Sequence, residues 1–184
     1  MSKIALYLTE LCLRHNLISN NLKDWCVYSI EKRLSTFITG NFLLLIGFTF
    51  FGPIPSLLFC FSLFFLRKLT NGYHARSYWR CLLLSIFVEI ACLQIASIAS
   101  IYFSFVLMFI ANIIIFLLAP SHNSRRYLTP SELKHIQLKT RKHMVALNLF
   151  FLFLFLLRSS LCGYIAMGVA SDALSLLTSS KLNA

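Results

Sequence analysis

His74 and Cys81 lie seven positions apart in an arginine-rich stretch, RKLTNGYHARSYWRC, that runs from Arg67 to Cys81. A histidine beside a cysteine can take the thiol proton and leave a thiolate nucleophile. Cations near a thiol favour the ionised form, and Arg76 and Arg80 both flank this one. The pairing sets a geometric condition. Seven residues of straight helix advance about 10.5 Å along the axis, whereas proton transfer needs about 3 Å, directly or through one water. The chain must therefore bend between the two residues, and Gly72 suits a turn that brings His74 back. Cys81 then belongs near the start of the next helix, where the positive end of the helix dipole also favours an anion. One His and one Cys, out of five and six, are weak evidence by themselves. The basic loop that holds them, with a Gly and an Arg just upstream, is what raises the chemical reading.

The other reactive side chains offer less. Cys12, Cys26, Cys60, Cys92 and Cys162 have no CxxC pair and no regular spacing, and read as small buried apolar residues. His135 and His143 lack a third ligand at metal spacing and are expected to face water, so no metal site is expected. No cofactor is implied, and the chain has no GxxxxGK[ST] phosphate loop. Glu89 falls inside an apolar run, where a carboxylate is a functional candidate by default. Its simpler role is as partner to a polar or basic group on another span. Gln94 and Asn112 read as interhelical hydrogen-bonding groups.

Composition says what must carry these residues. The 184-residue chain is 58% hydrophobic and 12% charged, with 18 Phe. A soluble domain carries about 25% charge, so lipid is the expected solvent and disorder is excluded. Charges are lopsided, 17 Lys plus Arg against 6 Asp plus Glu, a net of +11. The expected class is an all-α polytopic integral membrane protein with four to six short transmembrane helices and an amphipathic N-terminal helical segment.

Residues 1–184 read as a single membrane domain. Residues 1–34 form the interfacial segment, with Ile4, Leu8, Leu11 and Cys12 at helical spacing and Glu31, Lys32 and Arg33 marking a water boundary. Glu10, Arg14 and His15 interrupt the first twenty residues, so no cleavable signal peptide is expected. Residues 37–66 form a helical hairpin, broken at Gly52-Pro53-Ile54-Pro55; a re-entrant pair is the alternative. Residues 67–80 are the loop described above, and 81–119 a second hairpin ended by Pro120. In the basic loop and helix of 120–143, Thr129-Pro130-Ser131-Glu132 has the form of a capping box with Pro at the first helical position. Residues 145–177 form the last membrane segment, split at Arg158-Ser159-Ser160. Basic loops stay in the cytoplasm, which puts the N-terminal segment, 67–80 and 120–143 on that side and an even number of crossings between them.

The stretch Arg67 to Cys81 resembles the active-site loop of AgrB-type membrane peptidases. That family's pattern, R-x4-G-x-H-A-x5-C, is matched at Arg67, Gly72, His74, Ala75 and Cys81. Ala119-Pro120, followed by Arg125 and Arg126, resembles a second family feature, although here no proline follows the arginines until Pro130. The resemblance implies a multi-pass protein of the bacterial cell membrane whose catalytic loop faces the cytoplasm. It implies processing of a quorum-sensing peptide precursor of the AgrD type, with an amphipathic leader, a central Cys or Ser and an acidic C-terminal tail. Cys81 would be the nucleophile, His74 the general base and then acid, and Arg67 and Gly72 supporting positions. Cys81 would attack the bond before the tail, and the substrate's own thiol or hydroxyl would displace it, closing a thiolactone or lactone.

The basic residues Arg76, Arg80, Arg125 and Arg126 are candidates to attract the acidic tail through long-range, salt-screened forces. Membrane lipid is the other expected partner, nucleic acid is not, and a homodimer would suit the short spans. Two rivals stand beside this reading. One is a non-catalytic exporter or peptide-binding protein on the same spans. The other is a structural membrane subunit without a substrate.

Overall fold

The computed structural model describes residues 2–70, 78–120 and 130–182. Among these there are seven α-helices, one short 3-10 turn and no strand. The helices are α1 (Ser2–Arg14), α2 (Lys23–Phe51), α3 (Pro53–Thr70), α4 (Tyr78–Ile98), α5 (Ile101–Leu118), α6 (Pro130–Leu156) and α7 (Cys162–Leu182). Among the described residues, four stretches are long and apolar enough to cross a bilayer: Asn20–Phe51, Pro53–Thr70, Tyr78–Ile98 and Ile101–Leu118. They mark a membrane protein. Backbone contacts divide the chain into two compact units, Met1–Leu43 and Leu44–Ala184.

In the first unit, α1 ends at a left-handed residue, Asn16, with φ 53°. Leu17 N–H donates to Cys12 O at 2.9 Å and Asn16 N–H to Leu13 O at 3.0 Å. This is the paired bonding that closes a helix C-terminus, and asparagine tolerates its backbone geometry well. The apolar stripe of α1 is open to its surroundings: Ile4 and Leu8 are exposed, whereas Ala5 and Thr9 are fully buried. Helix α2 starts at Lys23 and runs without a break through Glu31, Lys32 and Arg33.

The second unit is organised around α7, which packs most extensively against α5 and α3, then α4 and α6. Small residues permit this. A methyl added at Gly168 would meet the Ser62 side chain and lie 2.7 Å from the carbonyl oxygen of Phe59. One at Gly163 would lie 3.2 Å from Ser104 Oγ. Lipid offers apolar side chains as good a solvent as the protein interior does, so close backbone approach becomes the main source of helix association. Around α7 the core gathers Leu66, Met108, Ile115, Leu147, Phe151 and Leu176.

Local chemistry sets the helix ends. Gly52, at φ 85°, separates α2 from α3, and Pro53 then takes the first helical position, which needs no amide donor. Ser100 caps α5 by accepting from Phe103 N–H at 3.2 Å. Helix α6 begins at Pro130, where the capping-box pattern placed a start. It ends with Arg158 at φ 52°, Ser159 N–H donating to Leu154 O at 3.0 Å and Arg158 N–H to Phe155 O at 2.9 Å. Between α5 and α6, Asn112 and Asn148 exchange amide hydrogen bonds at 2.9 and 3.0 Å. Asn112 thus bonds across helices as expected, and Gln94 is exposed. His143 differs from expectation: it is half-buried, with its ring 4.2 Å from that of Phe65. The cause is the packing of α6 on α3, which turns that position inward while His135 stays exposed.

Candidate active site

Two helix ends frame the site. Helix α3 ends at Thr70 and carries Arg67 in its last turn; α4 begins at Tyr78. Seven residues, 71–77, join them. Gly72, His74 and Arg76 belong to this connection and lie outside the described residues, as do Arg125 and Arg126.

Cys81 is the fourth residue of α4, in its first turn, and is partly exposed. The next residue, Leu82, is 5% exposed and anchors this end of the helix. Arg80 is exposed. Tyr78 packs edge-on against Trp79 at 5.6 Å, and its buried hydroxyl meets no hydrogen-bond partner among the described residues. The placement of Cys81 sets it apart from the other thiols, all six of which are free. Cys26 also lies in a first turn, that of α2, and Cys162 starts α7, but both are buried. Cys12 and Cys92 are partly accessible but sit well along their helices.

Arg67 does not stand alone at the end of α3. Its Nη1 lies 3.8 Å from Asp172 Oδ1 on α7 and also donates to Ser175 Oγ. Thr70 Oγ1 donates to the same Asp172 oxygen at 3.0 Å. Asp172 is fully buried. Arg67 and Thr70 are three apart on α3, and Asp172 and Ser175 three apart on α7, so each pair shares a face. Next to Asp172, Ser171 Oγ lies 3.2 Å from Cys92 Sγ on α4. Helix α7 thus touches α3 near its C-terminus and α4 within its span.

Asp172, Thr70 and Ser175 are absent from the sequence reading. Asp172 carries the same signal as Glu89, an acid within an apolar segment. Glu89 itself is fully buried and accepts from Cys60 Sγ of α3 at 3.5 Å. It has the polar partner on another span that its position suggested. A methyl at Gly47 would lie 3.0 Å from its Oε1, so the carboxylate is enclosed by α2, α3 and α4. Among the described residues, no three His, Cys, Asp or Glu side chains converge as a metal site.

Searches of curated proteins and of solved structures returned no match. The family model described as accessory gene regulator B (AgrB) matches residues 1–177, nearly the whole chain. With this match and the Arg67-to-Cys81 pattern, the chain belongs to the AgrB family, whose members take part in accessory gene regulator peptide processing.

Proposed function

We propose that this protein is a membrane cysteine endopeptidase that removes the C-terminal tail of an AgrD-like peptide precursor and hands the acyl group to the substrate's own thiol or hydroxyl. The observation that carries this reading is the placement of Cys81. Of the six cysteines it alone is both in the first turn of a helix and partly exposed, and it lies four residues past the 71–77 connection that contains His74.

In the proposed sequence, His74 takes the Cys81 proton and the thiolate attacks the carbonyl carbon before the tail. A carbon–sulfur bond forms and the carbon–nitrogen bond breaks, with His74 giving its proton to the departing amine. The substrate's central thiol or hydroxyl then attacks the thioester carbon. His74 takes the incoming proton and returns it to the Cys81 sulfur as that sulfur leaves. Transfer from thioester to thiol is nearly even in free energy, so the ring closes if water is kept out until the internal group arrives. A site at the membrane surface serves that need. We place the basic segments on the cytoplasmic side, where Arg76, Arg80, Arg125 and Arg126 draw in an acidic tail.

The test uses a synthetic peptide with an amphipathic leader, a central Cys and an acidic tail, presented to the protein in lipid vesicles. Cys81→Ser should lose cleavage while retaining peptide binding. A Cys81→Ser protein that processed the peptide at the wild-type rate would leave the exporter or binding-protein reading in its place.

A further inference from the structure

Asp172 is an expensive residue to keep where it is. It is fully buried in α7 between Ser171 and Ala173, and its Oδ2 meets no hydrogen-bond partner among the described residues. Replacing a buried ion pair with well-packed apolar side chains is often neutral or stabilising, so stability alone gives little reason for an acid here. What the acid does hold is specific. Its Oδ1 takes both Arg67 and Thr70, the two residues on one face of the last turn of α3. The residue after Thr70 begins the connection to His74.

We propose that Asp172 is a positioning residue of the active site: together with Ser175 it clasps Arg67 and Thr70, and so fixes the helix end from which the His74 segment departs. This rests on the reading of Cys81 and His74 as the reacting pair. It also assigns Arg67 a task. With its guanidinium engaged by Asp172 and Ser175, Arg67 serves to brace α3 against α7 rather than to bind the precursor's tail. A helix end is the place where such bracing matters, since the last turn has carbonyls without intrahelical partners and frays most readily. A general base displaced by about 1 Å loses much of its effect.

The experiment measures alkylation by iodoacetamide of the full-length protein in lipid vesicles, each cysteine resolved by mass spectrometry. In the wild type Cys81 should react faster than the other partly exposed thiols, Cys12 and Cys92, while buried Cys60 and Cys162 stay protected. His74→Ala should slow Cys81 at least fivefold. Asp172→Asn should slow it by a similar factor with Cys12 unchanged and Cys60 and Cys162 still protected, and Thr70→Val by about twofold. In the Arg67→Gln/Asp172→Asn double variant the loss should be no larger than in the worse single variant, because the two act as one unit.

If His74→Ala slows Cys81 but Asp172→Asn does not, the positioning role is wrong and the reacting pair stands. If His74→Ala leaves Cys81 unaffected, the reacting pair is wrong and this proposal falls with it. Should Asp172→Asn expose Cys60 and Cys162, Thr70→Val decides, since it leaves the buried charge paired. Slowed Cys81 with protected Cys60 then supports the clasp, and an unchanged Cys81 rate overturns it.

Discussion

Helices α5 and α7 pack against each other and are opposites. Helix α5 has no charged residue and presents Tyr102, Phe105, Val106, Phe109, Ile113, Phe116 and Leu117 to its surroundings. Helix α7 carries Asp172, five serines and threonines from Ser171 through Ser180, and two glycines, yet from Cys162 to Ala173 only Tyr164 is not buried. In water the pattern would be reversed. In lipid nothing is gained by hiding a phenylalanine, so the bulky helix faces outward. The helix of small and hydroxylated residues goes to the centre, where it can approach others closely and satisfy its polar groups. The difference also bears on the proposed clasp, because the helix packed most extensively against the others supplies the acid that reaches the end of α3.

The largest expected effect tests the close approach directly. Gly168→Val would drive a side chain into the backbone at Phe59, which cannot swing aside. A loss above about 3 kcal/mol is expected, read as failure to recover folded protein in detergent. Leu176→Ala and Leu117→Ala make the same chemical change on the two helices. Leu176 is 0% exposed and Leu117 72%, so the first should cost about 2–3 kcal/mol and the second less than about 0.5 kcal/mol in thermal or denaturant unfolding. Equal losses would break the comparison. Smaller again is the Asn112–Asn148 pair between α5 and α6, for which a double-mutant cycle with alanine should give a coupling of about 0.6–1.7 kcal/mol. The smallest is Phe109→Ala on the exposed face of α5, with unfolding and peptide processing both near wild type. A large processing defect there would show that this face does more than meet lipid.

The legible and illegible parts of the chain divide along the same line. The apolar runs announced α3, α4 and α5, and Gly52, Pro53, Pro120 and Pro130 marked their interruptions, because backbone geometry and a missing amide donor act locally. The first turn of α4 at Cys81 followed from the spacing to His74. The clasp of Arg67 and Thr70 by Asp172 and Ser175 did not, since its partners are about a hundred residues apart. Nor did the inward turn of His143, which reflects how α6 lies on α3 rather than the composition of α6.

By itself, the sequence determined that the chain is helical, that lipid is its solvent, and that one Arg-Gly-His-Cys stretch carries the family's pattern. These follow from hydropathy, local backbone preferences and short-range spacing, each confined to a few turns of chain. Only the tertiary structure decided that α7, with its small and hydroxylated residues, is the helix the second unit packs around and that Asp172 meets Arg67. Helix order in lipid depends on how closely backbones can approach and which polar groups can pair. Both are properties of two surfaces brought together, and neither is written in either helix alone.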